Sequence, residues 1–137
     1  MPTQAATRIL IPIIFLATIA LAAALFSGVD WLGRETPVFG IPVGQFVTWG
    51  IVGGLCLAAW LLAAGTRLRL ASSILLVLAA AWLPVSIALF GNVFLSNAAD
   101  PQLRIWLIYT GFVALGPILV LLALVMAAIW TRSRPRR

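Results

Sequence analysis

Long apolar runs separated by short polar stretches divide the chain, and the run at residues 44–65 shows the pattern most clearly. Its only ionisable side chain is the thiol of Cys56. At about 1.5 Å of rise per residue, a helix of that length spans the roughly 30 Å hydrocarbon core of a bilayer. Similar runs occupy 9–27, 70–90 and 105–130. The pattern therefore predicts an all-α integral membrane protein, one domain over 1–137 with four transmembrane helices. The first run is long for a cleaved signal peptide and is read as a retained span. The fourth would be about 39 Å long if fully helical, so it is expected to tilt or to project beyond the core.

Within these runs the small residues form stripes. Ala17, Ala20, Ala24 and Gly28 recur at helical spacing in the first, and Gly50, Gly54 and Ala58 follow at four-residue steps in the second. Small side chains let helix backbones approach closely, so these two stripes are expected to pack against each other. Pro12 falls near the start of its helix, where a missing N–H costs little. Pro84 and Pro117 lie within spans and predict bends, with Ser86 or a neighbouring helix satisfying the carbonyl freed by Pro84. Trp31, Phe39, Trp106, Tyr109 and Trp130 are expected at the membrane interfaces, where an aromatic ring keeps one edge wet.

Charge adds an orientation. The chain is 64% apolar and only 9% charged, too little polar surface for a soluble domain. Its net charge of +6 comes from nine arginines against Asp30, Glu35 and Asp100. Arg67 and Arg69 occupy the short turn between the second and third spans, and Arg132, Arg134, Arg136 and Arg137 follow the fourth. Short arginine-bearing loops stay in the cytoplasm, which puts both termini there together with Arg8 and leaves Arg34, Arg104 and all three acids outside. These inner arginines are expected to touch lipid headgroups. Membrane topology thus accounts for the basic balance, and nucleic acid is not an expected partner.

Histidine is absent and Cys56 is the sole cysteine. Histidine-ligated cofactors, the usual zinc sites, His-dependent nucleophilic catalysis and an intrachain disulfide are therefore excluded, and Cys56 reads as a small apolar side chain. No catalytic, cofactor or metal site is expected, since the acids lie in loops. An internal repeat is also legible. Ala24–Val29 (ALFSGV) recurs as Ala88–Val93 (ALFGNV), and Thr66-Arg67-Leu68-Arg69 as Thr131-Arg132-Ser133-Arg134. The near-equal offsets predict two tandem helical hairpins related as a parallel repeat.

The first hairpin carries a span ending in Phe26, then Trp31-Leu32-Gly33 and Pro37, then Gly40-Ile41-Pro42-Val43-Gly44 leading into a span that ends in arginine. In these features it resembles the small two-helix inner-membrane proteins that accompany bacterial sodium:solute symporters of the acetate type. The resemblance covers about 60 residues. A third span stands where that family has an arginine-rich segment followed by an acid. What it implies is a bacterial inner-membrane location and a transporter-associated role without catalytic residues.

Two functions remain in view. A non-catalytic accessory subunit of a larger membrane complex, packed through its small-residue faces against integral-membrane partners and lipid, fits a chain with little mass outside the membrane. The alternative is a small homo-oligomeric transporter or channel. It would lack the membrane-embedded carboxylate of proton-coupled exporters, but it could use Gln45, Thr48, Ser86, Asn92 and Thr110. An enzyme is the least supported.

Overall fold

A computed structural model describes residues 4–27, 34, 41–89 and 101–133. Among them four α-helices follow in order: α1 (Gln4–Phe26), α2 (Val43–Leu62), α3 (Arg69–Ala88) and α4 (Pro101–Ser133). Each contains a stretch long and apolar enough to cross a membrane, at Ile9–Phe26, Val43–Leu62, Arg69–Ala88 and Pro101–Thr131. The fold is all-α. The 20 residues of α2 measure about 30 Å, matching a bilayer core.

The helices overrun the apolar runs at several ends. α1 begins at Gln4, and α4 extends through Gln102 and Arg104 at one end and Thr131 and Arg132 at the other. Hydropathy marks where a helix leaves the membrane, whereas the backbone needs a breaker or a cap to stop. Pro101 opens α4 at the position where proline's missing N–H and fixed φ suit a helix start. Between α2 and α3 the breaker is Gly65, whose φ of 77° is a left-handed conformation that glycine adopts without strain. Thr66 fastens that turn: its N–H and its hydroxyl both reach the Ala63 carbonyl, at 3.0 and 2.8 Å.

Neighbouring helices run antiparallel. Leu21 meets α2 at Gly50, while Ile14 and Thr18 meet it at Gly54. Trp60 bonds to Ser73 and Trp49 to Ala79, so the α2–α3 partners also climb in opposite directions. The same holds where Trp82 meets Thr110 and Trp106 meets Ser86 between α3 and α4. α2 packs on all three other helices, and α3 on α4, so α2, α3 and α4 share one core with α1 laid against α2. That core joins Val52, Cys56 and Ala59 of α2 to Leu75 and Ala79 of α3 and Val113 and Val120 of α4.

α1–α2 and α3–α4 are both antiparallel hairpins, and Ala24 and Ala88 both fall near the ends of their helices, but Thr66 lies in the turn after α2 whereas Thr131 lies within α4. Their surroundings differ. α2 packs closely on α3, whereas α1 makes no comparable contact with α4.

Candidate functional site

The close contact between α1 and α2 is built on glycine. A Cβ placed on Gly54 would collide with Thr18 Oγ1, and one on Gly50 would come within 3.2 Å of Leu21 Cδ1. Ala58 continues this four-residue spacing and is fully buried. On α1 the opposing face is formed by Ile14, Thr18 and Leu21. Ala17 and Ala20 are exposed, Ala24 is half-buried, and Gly28 lies outside the described residues. Gly50 and Gly54 thus face α1, but Ala17 and Ala20 of the alanine stripe do not face α2. The reason is steric and polar together: the gaps left by Gly50 and Gly54 accept larger side chains. Thr18 can turn inward there because its hydroxyl is already satisfied by the Ile14 carbonyl, at 2.7 Å.

A set of indole and hydroxyl hydrogen bonds holds the remaining helices in register. Trp82 donates to Thr110 Oγ1 at 2.9 Å, and Trp106 to Ser86 Oγ at 2.8 Å, tying α3 to α4 twice. The two rings lie 6.1 Å apart at a tilt of 42°. Trp49 donates from α2 to the Ala79 carbonyl, and Tyr109 donates from α4 to the Leu78 carbonyl. Ser86 bonds to the Trp82 carbonyl at 2.8 Å rather than to the carbonyl of Ala80, the one that Pro84 frees. Trp106 is therefore buried and Tyr109 half-buried against neighbouring helices, whereas Trp130 is exposed.

Pro117, fully buried in α4, leaves the Val113 carbonyl without its helical N–H donor. The thiol of Cys56 lies 3.9 Å from that oxygen. Cys56 is thus more than a small apolar filler: it supplies a weak S–H donor where proline removed a strong one. The pairing joins two residues 57 positions apart, and no spacing rule foretells it.

The turn between α2 and α3 has its own clip. The Arg69 guanidinium lies over the Trp60 ring, 3.6 Å from its centroid, and Nη1 donates to the Trp60 carbonyl. Trp60 in turn donates to Ser73 Oγ at 3.1 Å. A cation near the last carbonyls of α2 is favoured by the helix dipole, and a cation over an indole face adds about 1 kcal/mol. Arg69 is therefore engaged within the hairpin, while Arg67 is exposed and available to headgroups. Arg132 falls in the last turn of α4, at the same end of the bundle. Arg134, Arg136 and Arg137 lie outside the described residues, as do Asp30, Glu35 and Asp100.

The polar residues available to a conduction path are mostly spent on packing. Thr48 donates to the Gly44 carbonyl, Thr110 accepts from Trp82, Ser86 serves both Trp82 and Trp106, and Gln45 is buried. Asn92 lies outside the described residues. A shallow outward-facing groove on α3 is lined by Ser73, Ile74, Val77 and Leu78.

Two helices present long apolar surfaces outward. On α4 the exposed apolar residues include Ile105, Ile108, Phe112, Leu115, Leu119 and Leu122 along the bundle and Val125, Met126, Ile129 and Trp130 toward its C-terminal end. On α1 the outward residues include Ile9, Ile13, Leu16, Ile19 and Phe26, with Ala20 and Ala23 among them.

One prediction follows from the hydroxyl bonds. Ser86→Ala leaves the buried Trp106 N–H without its acceptor and should cost about 1–2 kcal/mol, whereas Ser72→Ala removes only a bond to its own helix, to the Leu68 carbonyl, and should cost much less. Thermal unfolding of the two variants in mild detergent would separate these outcomes.

The chain matches no family model, no characterised protein and no solved structure at a level that shows kinship.

Proposed function

We propose that the chain is a non-catalytic accessory subunit of a larger membrane complex, seated in a bacterial cytoplasmic membrane with both termini inside. The observation that carries this reading is how the polar and apolar groups are divided. Inside the spans, indoles and hydroxyls are used to fasten one helix to another, and outside them α1 and α4 offer apolar faces suited to lipid or to another membrane protein. Such a molecule contributes shape and anchorage. Sodium:solute symporters, to which the first hairpin's resemblance points, are one class of partner to examine.

The orientation is supported by the helix directions. The antiparallel order brings Arg8, Arg67, Arg69 and Arg132 to one end of the bundle and Arg34 and Arg104 to the other. A reporter active only in the cytoplasm, fused after Arg137, should give full signal. Signal from a periplasm-active reporter at that position would reverse the topology.

The accessory role is tested by deletion and by purification from native membranes. Loss of the chain should lower the amount or thermal stability of a co-purifying larger complex while the turnover of each surviving complex stays nearly unchanged. If the purified chain alone moves a solute or ion across liposomes at a rate that depends on Gln45, Thr48 or Asn92, the channel alternative replaces this reading.

A further inference from the structure

Below the α2–α3 turn an apolar groove begins where the arginines stop. Arg69, Ser73 and Val77 follow at four-residue steps along α3, as do Leu70, Ile74 and Leu78, so each set lies on one side of the helix. Ser73, Ile74, Val77 and Leu78 line the groove, and Arg69 stands one turn, about 6 Å, above its start. The groove presents carbon despite its serine, because Ser73 donates its hydroxyl to the Arg69 carbonyl at 2.9 Å and accepts from Trp60 Nε1 at 3.1 Å. Its volume, about 260 Å³, lies below the usual range for a small-molecule pocket, and it is open to the outside. Those dimensions suit a stretch of hydrocarbon chain laid along α3, not an enclosed polar solute.

Positive charge is concentrated directly above this groove. Arg67 is exposed in the turn, and Arg69 holds its guanidinium over the Trp60 ring while giving Nη1 to the Trp60 carbonyl. A guanidinium has five N–H donors, so that one bond does not exhaust it. The C-terminal end of α2 and the N-terminal end of α3 meet here with opposite partial charges, which leaves the two arginines to set the sign. Between Glu35, which precedes α2, and Asp100, which follows α3, the sequence holds no carboxylate side chain. The counter-charge therefore has to come from outside this hairpin.

An anion above and hydrocarbon below, about one turn apart, are the two ends of a phospholipid. The headgroup layer of one leaflet is about 5–8 Å thick, half the difference between the full bilayer and its hydrocarbon core, and the rise from Ser73 to Arg69 falls within that range. We infer that the α2–α3 hairpin binds one anionic phospholipid, with its phosphate on Arg67 and Arg69 and part of an acyl chain in the groove along Ser73, Ile74, Val77 and Leu78. This goes beyond general contact between basic residues and headgroups, since it assigns one lipid to one helix face and requires a net negative headgroup. It holds whether the chain serves a larger complex or acts alone.

Titration of the delipidated full chain in mild detergent, followed by native mass spectrometry, tests it with phosphatidylglycerol and with phosphatidylcholine of the same acyl chains. Both carry a phosphate, but only the first has a net charge. The first phosphatidylglycerol should bind several-fold more tightly than the first phosphatidylcholine. Arg67→Gln should weaken phosphatidylglycerol about fivefold, the factor corresponding to about 1 kcal/mol per basic residue at a membrane surface, and leave phosphatidylcholine nearly unaffected. Val77→Trp, at a position 69% exposed, should weaken both lipids by filling the groove. Arg104→Gln, exposed near the start of α4, is the control and should change neither. Equal affinity for the two lipids, equal losses from Arg67→Gln and Arg104→Gln, or undiminished binding by Val77→Trp would each overturn the inference. So would displacement of the lipid by glycerol phosphate at a similar concentration, which would make this a site for soluble anions. The comparison of the two lipids on the wild-type chain needs no substitution, and it decides the point even if a variant fails to assemble.

Discussion

Trp82→Ala should lower the unfolding free energy by about 3 kcal/mol, the low end of the range for truncating a buried tryptophan. Trp82 has no exposed surface, stacks obliquely on Trp106 and donates its indole N–H to Thr110. The substitution leaves a cavity between α3 and α4 and removes one of the bonds that set their register. The expected cost falls at the low end because an alkyl environment is as apolar as the core, so lost packing contributes and transfer from water contributes little. Trp49→Ala provides the comparison. Trp49 is 36% exposed and also holds a carbonyl of α3, so its removal should cost markedly less. Reversible unfolding by denaturing detergent measures both. Equal costs would mean that the paired indoles are not the centre of the α3–α4 contact.

Gly54→Leu should weaken the seating of α1 on α2 by about 2–3 kcal/mol, in the range expected for forcing extra methylenes into a packed contact. Even the first carbon of the new side chain would meet Thr18 Oγ1, which is itself held to the Ile14 carbonyl. The helices must separate or α1 must rotate, and either change loses van der Waals contact that lipid does not restore. Gly53→Leu is the matched control, because a Cβ there meets nothing within 4 Å. Protease protection of α1 and thermal melting of the two variants should differ clearly. If Gly54→Leu melts like the parent and like Gly53→Leu, α1 is not packed through this glycine.

The contrast between Gly53 and Gly54 shows how far the sequence reaches. Four-residue spacing picks out Gly50 and Gly54 as a packing face because a helix brings such positions to one side whatever surrounds them. Run lengths likewise determine four spans, and the short gap that carries Arg67 marks the turn between two of them. Each of these is local, set by backbone geometry or by the bilayer's thickness.

What required the tertiary structure is the choice among apolar side chains. In water, polarity separates the inside of a bundle from the outside; in a membrane both are hydrocarbon-like, so Ala17 and Leu21 carry no mark of which one meets α2. The same loss of contrast hides Trp106, which reads as an interface anchor until Ser86 is found beside its N–H. Arg69 reads as a headgroup contact until the Trp60 ring is found beneath it. Cys56 and Pro117 become partners only when α2 and α4 are laid together. The length of the fourth apolar run requires some of it to tilt or overshoot. Only the register of α4 against Leu75, Ser86 and Trp82 decides that the excess emerges at the arginine-bearing end, because side-chain contacts between helices, not the hydropathy along any one of them, set their relative height.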